Sequence, residues 1–204
     1  MICEAGDEVA HHNYCHENPN ELSYNDEVRV IEKGIKSIEK LTGKAPIGYR
    51  SPAWDLSSNT IKILLDHGFK YESGLMANDR PYRCRIGDNE TDGSRYEFGE
   101  ETELLELPVT WSLDDWWRFE FVLYPVPPLS PGVNTPDEVF DMWSREFDYQ
   151  YKFVKGGVFT SVCHPQVTGR GSRILFLDKL LRFMKKHEGV WFAKCSDLVT
   201  AWRD

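Results

Sequence analysis

The order of apolar patterns in this sequence predicts an α/β fold with a parallel sheet, either a barrel or doubly wound. Two observations predict it. Short apolar runs of strand type alternate with segments whose apolar residues recur every three or four positions, from one end of the chain to the other. The chain also has 204 residues, 41% of them hydrophobic and 13% aromatic, enough to bury a full core and suited to one domain over residues 1–204. No internal repeat or low-complexity tract interrupts the alternation.

Each element follows from its local pattern. Met1–Asp7 reads as the last turn of a helix stopping at Gly6, and a chain that opens this way suggests further sequence upstream. Glu8–His12 reads as a short strand. Residues 25–42 give the clearest helix, with Val28, Ile31, Ile35, Ile38 and Leu41 at helical spacing and Gly43 at its C-terminal stop. Ile47–Arg50 reads as a strand ending at Ser51-Pro52. Ser57 or Ser58 is placed to cap a second helix through Ile61, Leu64 and Leu65 to Gly68, with a strand at Phe69–Ser73 behind it. Residues 78–103 are polar and glycine-punctuated, a loop or hairpin excursion. Leu104–Val109 is a further apolar strand. Residues 114–136 carry Pro125, Pro127, Pro128, Pro131 and Pro136, too many for helix or inner strand. A helix over 136–155 starts on Pro136 and closes at Gly156-Gly157. A strand at Val158–Cys163, a helix over 172–187, a strand at Val190–Ala193 and a helix at Ser196–Trp202 complete the alternation.

Charge and cysteine usage narrow the class. Lys and Arg total 24 against 33 Asp and Glu, a formal charge of −9, and no basic cluster stands out. That argues against nucleic acid or an anionic membrane as a partner. No apolar run reaches the ~20 residues of a membrane helix. The five cysteines are odd in number, widely spaced and without a C-x-x-C pair, which suits reduced thiols in a cytoplasmic protein.

Several residues carry chemistry. His12 and His16 are four apart, a spacing that puts two imidazoles on one side of a helical turn, where they can chelate a divalent ion; two surface histidines at a strand end give the same pattern. Catalytic zinc uses three protein ligands, so a third must come from elsewhere. Glu17, next in sequence, either orients a ligand or faces water. His164, in Val162-Cys163-His164-Pro165, lies at the carboxyl end of a predicted strand, where α/β active sites gather, and suits a general acid or base as well as a structural histidine. Cys163 fits a buried small hydrophobe better than a nucleophile. Arg50, also at a strand end, can grip a carboxylate in a bidentate pair or make an ordinary surface salt bridge. Asp114 and Asp115 supply carboxylates that can orient His164 or cap a turn, and Trp111, Trp116 and Trp117 offer a substrate wall or core. Arg170 and Arg173, at a helix start, can hold an anionic group or face solvent.

Taken together, and in this order, the motifs resemble those of the polysaccharide deacetylase (NodB-homology) superfamily. His12-Asn13-Tyr14-Cys15-His16 looks like its metal-binding H-x-x-x-H motif, Arg50-Ser51-Pro52 like its R-x-P motif, Asp114-Asp115-Trp116 like its Asp-Trp motif, and His164 like its late-strand general acid. Ala10–His12, Leu75–Tyr82, Pro108–Trp116 and His164–Arg170 are similar to the intracellular branch of cyclic imide hydrolases and peptidoglycan-deacetylase-like enzymes. The resemblance implies a distorted (β/α) barrel, incomplete here, and a divalent metal held by His12 and His16, of the zinc type by its histidine ligands, with manganese, cobalt or iron also fitting. It also implies hydrolysis of an amide or cyclic imide C–N bond in a small-molecule or sugar-amide substrate, and a homo-oligomer, often a tetramer. Arg50 then orients a catalytic aspartate, and His164, tuned by Asp115 or Asp114, protonates the leaving nitrogen beside Trp111, Trp116 and Arg170. The family's aspartate pair, one a metal ligand and one the general base, should precede His12 by several dozen residues. Residues 1–11 contain no such pair, and position 13 holds Asn instead of the usual Ser or Thr. The alternative is a catalytically inactive relative that binds carbohydrate or peptide in the same pocket.

Overall fold

The computed structural model describes residues 2–91, 95–120 and 134–202. In chain order the helices and strands are α1 (Tyr24–Thr42), β1 (Gly48–Tyr49), α2 (Thr60–Asp66), β2 (Tyr71–Glu72), β3 (Tyr82–Ile86), β4 (Asn89–Thr91), β5 (Arg95–Glu97), β6 (Glu100–Glu106), α3 (Trp116–Phe119), α4 (Pro136–Phe153), α5 (Ser172–Met184) and α6 (Cys195–Ala201). Contacts divide the chain into two compact units, Met1–Pro108 with Ala193–Asp204, and Val109–Phe192. No helix among the described residues is long and apolar enough to cross a membrane.

The first unit is built on an open, mixed sheet of order β1-β2-β6-β3. β1, β2 and β6 run parallel, with Tyr49 opposite Glu72 and Glu72 opposite Glu106. β3 runs antiparallel to β6, so the sheet is not all parallel as expected. The polar 78–103 segment supplies that strand and the β4–β5 hairpin. β6 starts before the apolar Leu104 because pairing with β3 extends it through Glu100–Glu103, a largely exposed stretch that reads as loop in sequence. Ile31, Tyr49, Ile63, Leu64, Phe69 and Leu104 form the core between α1, α2 and this sheet.

α1 is bounded as its signals require. The Ser23 hydroxyl accepts the Asp26 N–H at its start, and Gly43 takes a left-handed φ of 75° at its end, a conformation that glycine adopts without Cβ strain. Gly34, by contrast, sits inside the helix, where glycine costs about 1 kcal/mol relative to alanine. Its reason is close approach: a Cβ there would lie 2.1 Å from His11 Nε2. α2 starts from Asn59 without a side-chain cap. Ser57, expected to cap it, instead accepts the Asn59 N–H and donates its hydroxyl to Glu27.

In the second unit, Pro136 opens α4 behind a reciprocal cap between Thr135 and Glu138. Trp143, Phe147 and Val139 of α4 pack with Phe176 and Leu180 of α5 and with Leu113 and Phe119. The Asp114–Pro136 segment was expected to hold no helix, yet Trp116–Phe119 forms one turn. Pro125, Pro127, Pro128 and Pro131 lie outside the described residues.

Three expected strands do not form as such. Glu8–His12 is reduced to a single parallel bridge between His11 and Tyr49, and Val158–Cys163 to one between Asp114 and Val162. Val190–Ala193 is irregular, with Trp191 and Phe192 exposed. β-type composition describes what fits a pleated surface; a ladder also needs a neighbour in register.

Candidate functional site

The His12–His16 loop is a turn and not the helical turn expected from its spacing. Asn13 and His16 adopt left-handed φ angles of 54° and 62°, and Asn is one of the residues that tolerates this conformation. Side chains build the loop. Asn13 Oδ1 accepts the Tyr49 hydroxyl at 2.9 Å and its amide donates to Glu17 O at 2.7 Å. Glu17 accepts the N–H groups of Tyr14 and Cys15, so it supports the turn instead of simply facing water. Burial acts to raise the Glu17 carboxyl, but these N–H donors outweigh it and hold the group below its ordinary value.

The two imidazoles meet despite the change of conformation, with ring centroids 4.9 Å apart. His12 Nδ1 donates to the Arg50 carbonyl at 2.7 Å. That bond places the proton on Nδ1, so Nε2 is the ring nitrogen with a lone pair, the arrangement by which an outer partner orients a metal-binding histidine. These residues therefore fit two ligands of a divalent ion. His11 plays a different part. It is fully buried, its Nε2 donates to Ile31 O at 3.0 Å, and its Nδ1 accepts the Asn13 N–H at 3.1 Å. Burial pushes its pKa down to about 4, so it is a neutral strut under the loop.

Arg50 follows β1, with its N–H bonded to His11 O. Its guanidinium is anchored by Nε to Ser73 O at 2.8 Å and by Nη2 to Ser73 Oγ at 2.7 Å, so it is no ordinary surface salt bridge. Ser73 in turn donates its hydroxyl to Leu107 O. All four non-glycine left-handed residues among those described lie in these two loops: Asn13, His16, Ala53 and Trp54. Backbone strain of this kind persists where the surroundings over-determine it.

In the second unit the Asp114–Val162 bridge holds Asp115 beside His164. Asp115 is fully buried, and its Oδ1 accepts His164 Nδ1–H at 2.6 Å. Its Oδ2 accepts the His164 N–H at 2.8 Å, the Thr168 N–H at 3.2 Å and the Thr168 hydroxyl. The carboxylate thus fixes both the ring and the turn that carries it. Trp116 packs edge-on to the His164 ring at 5.5 Å, and Trp111 to Trp117 at 5.6 Å. Cys163 is a packing residue, its thiol pushed up to about 12 by burial. Arg170 is exposed ahead of α5, whereas Arg173 pairs with Glu120 at 2.8 Å.

Asp114, Asp115 and His164 present ligand atoms within 4.8 Å of one another. Their bonding suits acid–base chemistry better than metal binding. Asp115 spends both oxygens on four donors, His164 Nδ1 is committed to it, and Asp114 Oδ1 accepts the Trp116 N–H at 2.7 Å. Sequence reasoning missed Thr168, Ser73, and the buried carboxyls Glu72 and Glu106. The last two had a signal, since each is an acidic residue inside an apolar strand run; Ser73 and Thr168 had none.

Fold and side chains together define an α/β chain with a carboxylate-oriented histidine and a pair of convergent imidazoles. The polysaccharide deacetylase family model matches residues 1–72. A peptidoglycan deacetylase of Helicobacter pylori is 38% identical over 204 aligned residues, covering 93% of this chain and 68% of that protein. The chain belongs to the polysaccharide deacetylase family. The crystal structure of a polysaccharide deacetylase from Mycobacterium smegmatis superposes with a TM-score of 0.82 at 32% identity, over 98% of this chain and 64% of that one. An allantoinase structure shares the fold with a TM-score of 0.76 at 22% identity, over 98% and 60% of the respective chains. The chain thus spans about two thirds or less of the length of these proteins.

Proposed function

We propose that this chain forms the larger part of a metal-dependent hydrolase that cleaves the C–N bond of an amide or cyclic imide in a small-molecule or sugar-amide substrate. The observation that carries the reading is the Asp115–His164 pair, a buried carboxylate 2.6 Å from Nδ1 of a partly exposed imidazole. In this pair Asp115 stabilises the protonated ring, and Nε2 delivers a proton to the leaving nitrogen. His12 and His16 hold a divalent ion, zinc by the preference of imidazole ligands. When bound, the ion supplies Lewis-acid polarisation of the carbonyl and lowers the pKa of a water molecule.

Arg50, held by Ser73, aligns the carboxylate that serves as general base. In the family's arrangement that base and the third metal ligand are an aspartate pair N-terminal to the histidine motif. Trp111 and Trp116 wall the substrate, and Arg170 meets an anionic group on it. We place the chain in the cyclic imide hydrolase and peptidoglycan-deacetylase-like branch, as a cytoplasmic homo-oligomer with a distorted (β/α) barrel.

The test is metal content by mass spectrometry together with hydrolysis of a cyclic imide and an N-acetyl sugar, comparing wild type with His12→Ala, His16→Ala and His164→Ala. Near one metal per chain, lost in both metal-site variants, and turnover lost in all three support the reading. Sugar or peptide binding without turnover, unchanged by chelation, would assign the chain to an inactive binding protein instead.

A further inference from the structure

Behind Arg50 lie two carboxyl groups that the mechanism above does not use. Glu72 and Glu106 are paired in register at the ends of the parallel strands β2 and β6, and neither is exposed to solvent. Both carboxyls meet at the Gly74 N–H, which each of them accepts. Two ionised carboxylates this close in a buried site repel strongly, which favours keeping one of them protonated. Their oxygens are committed mainly to backbone. Glu72 accepts Ser51 N–H through Oε1 at 3.3 Å and Gly74 N–H through Oε2 at 2.8 Å. Glu106 Oε1 accepts Gly74 N–H at 3.1 Å and Leu75 N–H at 3.0 Å, and its Oε2 faces the Cys84 thiol at 3.7 Å.

These contacts bracket Arg50 from both sides. Ser51 is the residue after Arg50, and Gly74 the residue after Ser73, whose carbonyl and hydroxyl grip the guanidinium. We propose that the Glu72–Glu106 pair is a positioning device for Arg50, clamping the strand end that bears it and the turn that holds its side chain.

The division of labour follows from the acceptors. Glu72 has both oxygens facing backbone N–H groups and the Arg50 charge nearby, so it is the ionised member. Glu106 has one oxygen facing backbone and the other left to carry the proton. Burial and the Glu72 charge hold Glu106 well above the ordinary carboxylate range. The groups facing the pair are Arg50, the Cys84 thiol and the phenols of Tyr49 and Tyr82, and burial keeps the last three neutral.

This inference rests on the reading of Arg50 as the group that aligns the catalytic base, but its test does not require turnover. Glu106→Gln replaces a carboxylic acid by an isosteric donor, whereas Glu72→Gln sets an amide NH₂ against a backbone N–H. The Arg50 Nε–H resonance and the exchange rates of the Ser51, Gly74 and Leu75 amides report the clamp by NMR. Glu106→Gln is expected to match wild type, and Glu72→Gln to shift the Arg50 resonance and speed Gly74 exchange by about tenfold or more. Where turnover is measurable, kcat falls in Glu72→Gln with KM little changed.

An unmoved Arg50 resonance in Glu72→Gln, or equal disruption by both variants, would overturn the proposal. If Glu72→Gln does not fold, carboxyl ¹³C titration of wild type decides it. One ionised and one protonated group at neutral pH supports the clamp, and two ionised groups overturn it. Loss of the hydrolase reading alone would leave the NMR result standing.

Discussion

Gly34→Ala separates two opposing effects in one methyl group. Helix propensity alone makes the substitution stabilising by about 1 kcal/mol, since Gly34 lies inside α1. Packing opposes it. The new Cβ would sit 2.1 Å from His11 Nε2, 2.8 Å from Cε1 and 2.9 Å from Cδ2, so the ring must move by more than 1 Å to restore van der Waals contact at about 3.5 Å. His11 has no room to yield. It is fully buried, stacked at 5.5 Å on Tyr49, and bonded through Nε2 to Ile31 O and through Nδ1 to Asn13. Overpacking of this kind costs about 1–3 kcal/mol, and the broken buried hydrogen bond about as much again. The net expectation is destabilisation of about 1–5 kcal/mol after the propensity gain. At roughly 2–4 °C per kcal/mol for a chain of this size, the midpoint of thermal unfolding falls by several degrees. Because His11 supports the His12–His16 loop through the Asn13 N–H, metal retention at the proposed site is expected to fall in parallel. A Gly34→Ala protein more stable than wild type in urea denaturation would refute the close-approach account.

The remaining predictions concern the charged groups. His11→Gln removes the imidazole strut and is expected to weaken metal retention at His12 and His16, read by metal content after dialysis; unchanged retention would show that the loop does not depend on it. The His11 pKa of about 4 in the folded chain lies below its ordinary 6.5, so the unfolded state binds the extra proton first. Stability is fully present above pH 6.5 and is lost as pH falls towards 4, by on the order of 3 kcal/mol from this group. Denaturation midpoints measured from pH 7.5 to 4.5 should fall over that window, and a flat profile would contradict the burial of a neutral ring. Asp115→Asn leaves an acceptor oxygen for the His164 and Thr168 donors but sets an amide against His164 Nδ1. That favours the tautomer with the proton on Nε2 and removes the charge that stabilises the imidazolium. Hydrolysis is expected to drop by about 10²–10⁴ with the fold retained by circular dichroism. Undiminished turnover would exclude His164 as the acid.

Much of the scaffold was legible in sequence because its signals are local. α1, α4 and α5 each show helical spacing, and α1 and α4 add their caps, so their bounds follow within a few residues. The irregular segments were not legible for the same reason. Val158–Cys163 and Val190–Ala193 have strand composition, but pairing depends on partners remote in sequence. Glu100–Glu103 shows the converse: four polar residues that read as loop are held in β6 by β3. Within the candidate site, His12, His16, Arg50, Asp115 and His164 stand out as residue types at strand ends. Asn13, Ser73 and Thr168 do not, because a hydroxyl or amide that supports a neighbour leaves no periodicity.

The sequence by itself determined the family of motifs, the long helices α1, α4 and α5, and the candidate side chains of the site. Those are consequences of residue type and spacing along the chain. Only the tertiary structure decided which atom of each group is committed: Nδ1 of His12 to Arg50 O, Nδ1 of His164 to Asp115, and Oε1 of Glu106 to the Gly74 and Leu75 N–H groups. Such commitments are made by hydrogen bonds between residues about 30 to 50 positions apart. Their direction is set by burial, which makes an unpaired donor or a second charge too costly to keep.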